Sequence, residues 1–463
     1  MDLQNKVKEV FQLQRLYYYP EIEALAAKCA DAYKGRPEWG TTVNFAKTLC
    51  EETARLSLLG TSIRFDDADK PGTRGEYLQR VFDSQYYNLR VWTEYAMAYG
   101  TVIIKPNGVD YDVVLPGHYF VTATRNNEIW GAVFVTTLQV GDKFYTRLEY
   151  HHFENGEYYV DNRAFVGKAA NDLDKEVQMQ DSPWPNITPG AKIEGATKPV
   201  FAVLRTPQAN NVDDECPFGL PLVSGAMVEL KDLDIAYARM TKEIADSKRT
   251  VMLDADRLTI NGANGGALTE DERKNIIGVY DFNREAMGLP DFVRTVEGVN
   301  NEGDFYREIN PTLNTDARLI GINYLLSQIG YKIGFANGYF VFNEQSGIQT
   351  ATGVEANQQR TIQFIKDCRD RIEKALSDLI EAVSKFADAY TDAPSGEYAV
   401  TYQFGDITYN EEEDRLRWLS YANTGKIPFW YYLVKFEGFA EDEAKALTAE
   451  ARPAVSTLWP TEE

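Results

Sequence analysis

Between Leu222 and Phe386, two apolar-striped segments bracket an excursion of roughly sixty residues, and a Gly/Ser/Thr-rich loop then feeds a third, longer stripe. Val223, Ala226, Leu230, Leu233, Tyr237, Met240 and Ile244 recur at steps of three and four, the period of one buried helix face. Leu319, Ile322, Leu326, Ile329 and Ile333 repeat it. Each stripe needs a partner for its seam, and the excursion is long enough to turn the chain back, so the spacing predicts an antiparallel helix pair. Closing such a loop costs about 3.6 kcal/mol by the logarithmic law, which a packed seam offsets. An ordinary αα-hairpin inside a core would satisfy the same periodicity.

The flanking regions read as α+β. Apolar positions from Pro20 to Leu59 follow helical spacing and stop at Gly60, and a second helix is expected from Gly75 to Tyr99, stopped by Gly100. The period then changes to two. Thr101–Lys105, Tyr111–Leu115, Ile129–Thr137, Phe144–His152 and Glu157–Val160 are expected strands with turns such as Asn107-Gly108 and Asn155-Gly156. Residues Ala169 to Pro199, rich in Pro, Gly and Asp, read as a mobile surface arm. Within the excursion, strands are expected at Thr250–Leu258, Phe292–Val299 and Phe305–Ile309, with a capped helix over Asp271–Val279; Asn314 or Thr315 is expected to cap the second striped helix. The third stripe, Ile362, Ile365, Cys368, Ile372, Leu376, Leu379, Val383 and Phe386, implies a helix from Ala351 to Asp388 of about 57 Å, long enough to cross between subdomains or subunits. A strand over Glu397–Phe404 and helices near Arg415–Tyr421, Pro428–Lys435 and Ala440–Glu450 close the chain.

Charge and chemistry narrow the function by exclusion. A formal net charge of -22 over 463 residues argues against a protein that grips nucleic acid by neutralising phosphates, although a wall past which DNA slides would also avoid deep attractive wells; acidity can equally serve solubility alone. No G-x-x-x-x-G-K-[ST] occurs, so a motor ATPase is not expected. His151 and His152 are adjacent on an alternating strand and point to opposite faces, poor geometry for a shared metal. Cys29, Cys50, Cys216 and Cys368 lack metal-ligand spacing and read as reduced, buried thiols of a chain made in the cytoplasm. No stretch approaches a membrane span, and the segment from Met1 to Arg15 lacks the pattern of a secretory leader. No catalytic group, metal or cofactor is expected.

Four segments carry a resemblance. They are E-Y-A-M-A-Y-G-T-V-I-I-K-P from Glu94 to Pro106; the Pro199 to Gly219 run, with F-A-V-L-R-T-P ahead of N-N-V-D-D-E-C-P-F-G; the helix from Leu222 to Arg249; and S-G-I-Q-T-A-T-G-V-E-A-N ahead of the long helix. Together they resemble the portal, or head-to-tail connector, proteins of long-tailed bacteriophages. Family members commonly carry Glu where Gly353 follows Thr352, which leaves that position's role open, with Glu355 close by.

The resemblance implies a ring, usually of twelve subunits, at one capsid vertex of a virion, through which double-stranded DNA enters and leaves. By position, residues 1–221 look like the wing, 222–249 and 313–336 like stem helices, 250–312 like the clip, 337–350 like the tunnel loop, 351–404 like the long wing helix and its strand, and 405–463 like the crown. Implied partners are a terminase large subunit, a head-completion adaptor, and major capsid and scaffolding proteins, with no membrane. The loop tip, Asn343, Glu344, Gln345, Ser346, Gly347, Ile348 and Gln349, would face DNA without reading bases. Lys242, Lys248, Arg249, Arg318 and Lys332 could line the channel, or could instead be solvated helix faces and intersubunit salt-bridge partners. Two competing classes share the composition: an intracellular carbohydrate-active enzyme with paired acids such as Glu411 and Glu413 or Glu441 and Glu443, and a scaffold that merely oligomerises.

Overall fold

The computed structural model describes residues 3–107, 110–246, 250–254, 293–296, 306–309, 314–341, 351–390, 393–405 and 411–450. Helix makes up 47% and strand 21%, and the strands form antiparallel sheets apart from one parallel pair, so the class is α+β. The chain divides into two compact units, Met1–Ala54 with Gln85–Asp392, and Arg55–Ser84 with Ala393–Glu463.

In chain order, helices α1 (Leu3–Val10), α2 (Pro20–Tyr33) and α3 (Phe45–Ser57) precede strand β1 (Ser62–Phe65) and helix α4 (Arg74–Tyr99). The helical run expected from Pro20 to Leu59 is thus two helices. Gly35, at φ +71°, and Pro37, which lacks an N–H, separate them.

Strands β2 (Thr101–Asn107), β3 (Asp110–Val114), β4 (Tyr119–Arg125), β5 (Glu128–Val140), β6 (Lys143–Glu154), β7 (Glu157–Gly167), β8 (Lys175–Val177), β9 (Gly190–Ile193) and β10 (Ala202–Arg205) make two sheets. One is an antiparallel meander in the order β4-β5-β6-β7-β8, with β9 also on β7; the Asn155-Gly156 turn joins β6 to β7 as its composition demands. The other has the order β10-β2-β3. Phe134, Val121, Ile129, Ile103 and Phe201 form a shared core between them, closed by Phe134 and Phe201 edge to face at 5.5 Å.

The expected mobile arm over Ala169–Pro199 is instead docked. Its β8 and β9 pair with β7, the Asn162 side chain donates to the Thr188 carbonyl at 3.1 Å, and Ile193, Ala196 and Val200 are buried against Tyr158, Val160 and Ala382. Its Pro and Gly content marks turns between short pairings, and the apolar residues spaced among them secure it.

Helix α5 (Met227–Asp246) leads to β11 (Thr250–Asp254), β12 (Val293–Val296) and β13 (Tyr306–Ile309), in the order β12-β11-β13, with β11 parallel to β12 and antiparallel to β13. The helix expected at Asp271–Val279 lies outside the described residues. Helix α6 (Thr315–Ile333) follows, then α7 (Ala351–Tyr390), whose 40 residues rise about 60 Å. Rather than crossing between compact units, α7 stays within the first, lying against β2 and β10 with Ile365, Cys368, Ile372, Leu376 and Leu379 buried.

In the second unit β1 pairs antiparallel with β14 (Val400–Gln403), and Phe65 packs on Phe82 and Tyr398. Helices α8 (Glu411–Asn423), α9 (Phe429–Glu437) and α10 (Glu441–Glu450) pack in succession, joined by Trp418 stacking on Tyr431 and by Arg415 reaching Tyr432 at 3.0 Å and Glu437 at 2.5 Å.

Candidate functional site

The two striped helices pack side by side and antiparallel. Glu229 near the start of α5 meets Lys332 at the end of α6 at 2.6 Å, while Glu243 near the end of α5 pairs with Arg318 in the first turn of α6. Fourteen residues separate the two carboxylates and fourteen separate the two cations, so the rungs are about 21 Å apart on both arms. Between and below them Leu230, Leu233, Ile322, Leu326, Ile329 and Ile333 are buried. The seam thins toward the strand end, where Tyr237 and Ile244 are 42% and 48% exposed although they belong to the same stripe. Asn314 occupies the N-cap of α6 but its side chain makes no cap bond; its backbone N–H donates to Glu243 at 3.3 Å instead.

Among the proposed channel-lining residues, Arg318 and Lys332 are thus engaged within the helix pair, Lys332 also donating to the Gly225 carbonyl at 3.2 Å. The alternative open to them from sequence was salt bridging between subunits, whereas both pairs seen here lie within one chain. Burial would push the Glu229 carboxyl up, but the Lys332 ammonium outweighs it and holds the group below its ordinary range. Lys242 is exposed on α5. Lys248, Arg249 and all of Asn343–Gln349 lie outside the described residues.

The approach to that loop is a packed root. Gly334 caps α6 at φ +131°, and a Cβ there would sit 2.7 Å from the Phe364 ring. Immediately after it, Phe335 is fully buried, in contact with Phe364 at 5.5 Å, Tyr339 at 5.0 Å and Phe340 at 4.8 Å. The Ala336 N–H donates to the buried Thr361 hydroxyl at 2.8 Å, and the Tyr339 hydroxyl donates to Glu52 at 2.7 Å. Arg360 covers the Tyr331 ring at 4.0 Å and donates to its carbonyl. Residues 337–341 therefore leave the end of α6 already tied to α3 and α7.

At the base of the pair, Asp234 on α5 is buried and accepts from the Trp39 indole at 2.7 Å and the Val43 N–H at 2.8 Å. Just before α5, the Gly219 N–H donates to the Thr101 hydroxyl, Leu222 N–H donates to the Met97 carbonyl at 2.8 Å, and the Thr206 hydroxyl donates to the Leu220 carbonyl at 2.7 Å. The 94–106 and 199–219 segments, distant in sequence, thus meet at the entry to the helix pair.

A buried polar network carries no sequence motif of its own. Glu149 receives Lys105 at 2.8 Å, Arg147 at 3.0 Å and His151 Nε2 at 2.8 Å, and His151 Nδ1 accepts from the Tyr158 hydroxyl at 2.8 Å. Burial opposes ionisation of Glu149, yet Lys105, His151 and Arg147 together hold its pKa well below the usual carboxylate value. Burial also lowers the His151 pKa against the pull of Glu149, leaving a neutral imidazole. Arg147, Glu149 and His151 alternate on one face of β6, while His152 stacks on Tyr150 on the other, so the two histidines do point apart. The network is buried between the two sheets, with Lys105 reaching it from β2.

Among the described residues no group of three or more His, Cys, Asp or Glu could hold a metal, and no helix is long and apolar enough to cross a membrane. The four cysteines are buried and no disulfide joins them, and burial pushes the Cys29 and Cys216 thiols up to about 12. Of the paired acids, Glu441 is taken by Lys445 one helical turn on. No protein-family model matches this chain, and no curated protein sequence matches it either.

Proposed function

We propose that this chain is a portal-type subunit: copies associate into a ring, the α5–α6 pair forms its stem, residues 250–312 the outward clip, residues 337–350 the loop toward the channel, and double-stranded DNA passes along the axis without base readout. The observation that carries this reading is the antiparallel helix pair with a small sheet at one end and an anchored loop root at the other. A neighbouring copy would find a ready surface on α6. Ile320, Tyr324 and Tyr331 fall within about 40° on one helix face and are 71%, 64% and 50% exposed, an apolar stripe of the kind that marks association sites.

On this reading the ring supplies a conduit and no force; the terminase large subunit drives DNA inward, the adaptor docks afterwards at the clip, and capsid and scaffolding proteins surround the rest. The test is electron microscopy and native mass measurement of the full chain, expressed alone and with its capsid and scaffolding partners. A closed ring near twelve times 52.4 kDa with a central channel is expected. A species that stays monomeric or dimeric under both conditions overturns the proposal. Within a ring, deleting 345–348 is expected to leave assembly intact and reduce packaged DNA.

A further inference from the structure

A cleft of about 100 Å³ opens in the first unit between the start of β5, strand β10 and one face of α7. Half of its twelve lining residues are apolar, Trp130, Phe201 and Val203 among them; the other six are charged, four cations against two carboxylates. Both carboxylates are already taken. Glu128 is paired with Lys374, and Asp378 accepts from Lys198 at 2.9 Å. That leaves Arg205 and Arg371 facing the cleft with no carboxylate partner among the described residues.

The placement of the two arginines follows from the local periods. Val203 and Arg205 alternate onto one side of β10, with Phe201 just ahead of it, while Arg371, Lys374 and Asp378 share one face of α7 at steps of three and four. Arg205 spends one guanidinium nitrogen on the Pro217 carbonyl at 2.9 Å and the Asn127 carbonyl at 3.3 Å. Its other donors remain, and a guanidinium carries five in a fixed fork. Burial and the like charge of Arg371 both disfavour its protonated form. Two unneutralised guanidiniums sharing a partly desolvated cleft call for an anion between them. Arg125, set over the Trp130 ring at 4.7 Å, adds positive charge nearby.

We propose that this cleft is a recognition site for an acidic peptide segment, in which a carboxylate is held by Arg205 and Arg371 and an adjacent apolar side chain rests against Trp130 and Val203. The apolar half of the lining favours a peptide over a free inorganic anion, which would leave that surface uncovered. Glu128 and Asp378 at the rim disfavour a dianion more than a single carboxylate. Residues of one chain line the whole cleft.

The test is fluorescence anisotropy of the full chain with a fluorescein-labelled peptide alternating leucine and glutamate, against a control peptide with glutamine at every glutamate position. Saturable binding of the first peptide alone is expected, weakened at least tenfold by Arg371→Gln and less by Arg371→Lys, which keeps the charge without the fork. Arg371 is half-exposed, so these variants are expected to retain the circular dichroism of the parent. Arg205→Gln should weaken binding similarly. Equal binding of the two peptides, absence of saturable binding, or an affinity unmoved by Arg371→Gln overturns the proposal. Inorganic phosphate that binds as tightly as the peptide, and loses that binding in Arg371→Gln, overturns the peptide assignment in favour of a small oxyanion.

Discussion

Gly100 and Gly219 cross backbone to backbone: a Cβ on Gly100 would lie 2.3 Å from the Gly219 carbonyl oxygen, and one on Gly219 would lie 2.6 Å from the Gly100 carbonyl oxygen. Gly100 also adopts φ +83°, and the Gly219 N–H and the Thr206 N–H are both bonded at this crossing. Gly219→Ala should therefore displace backbone that cannot yield cheaply and cost about 2 kcal/mol or more. The fall in the urea midpoint measures it, with Gly225→Ala, where a Cβ meets open space, as the control.

Stability should depend on pH through His151. Its folded pKa lies below the ordinary 6.5, so as pH falls the unfolded chain takes up the proton first; the stabilisation is whole above about 6.5 and is lost as pH falls through the depressed folded value. Glu149, also depressed, acts with the same sign further into acid. His151→Gln should flatten the decline below pH 6.5 by up to about 1.4 kcal/mol per pH unit, the slope of one proton. Urea unfolding of both proteins at about pH 7.5 and about pH 5.5 gives the difference.

The Glu243–Arg318 rung is partly exposed, so its net worth should be small, about 0.5 kcal/mol. Arg318→Glu should cost more than Arg318→Ala, because it sets two carboxylates together, and Glu243→Arg with Arg318→Glu should recover most of the loss. A double-mutant cycle on thermal midpoints checks this.

Phe335→Ala removes a fully buried ring from the root between α6 and α7 and should cost about 3–5 kcal/mol. Phe335→Leu, which refills most of the space, should cost clearly less. Denaturant unfolding ranks the two.

The helix pair was legible from sequence because a seam leaves a period that survives any tertiary context, and Leu230, Leu233, Ile322, Leu326 and Ile329 are buried as that period requires. Strand β4 was not, since register shifts between Val121, Ala123 and Thr124 blur its alternation. Arm 169–199 concealed its docking because the composition records turns, while the anchors Ile193 and Ala196 need Tyr158 and Val160 from a remote strand. The Glu149 network is of the same kind. Arg147, Glu149 and His151 alternate visibly, but only Lys105 on another sheet and the burial around it distinguish a sealed cluster from a solvated face. The arginine cleft likewise depends on α7 crossing β10, which no local pattern encodes.

Two ionic clasps set at equal intervals on both arms also restrict how the helix pair can move. A slide of one arm along the other by a single turn would open both clasps together, whereas a tilt of the joined arms would open neither. The clasps therefore mark one register of the two arms, while the buried Leu and Ile seam between them supplies most of the energy that holds it.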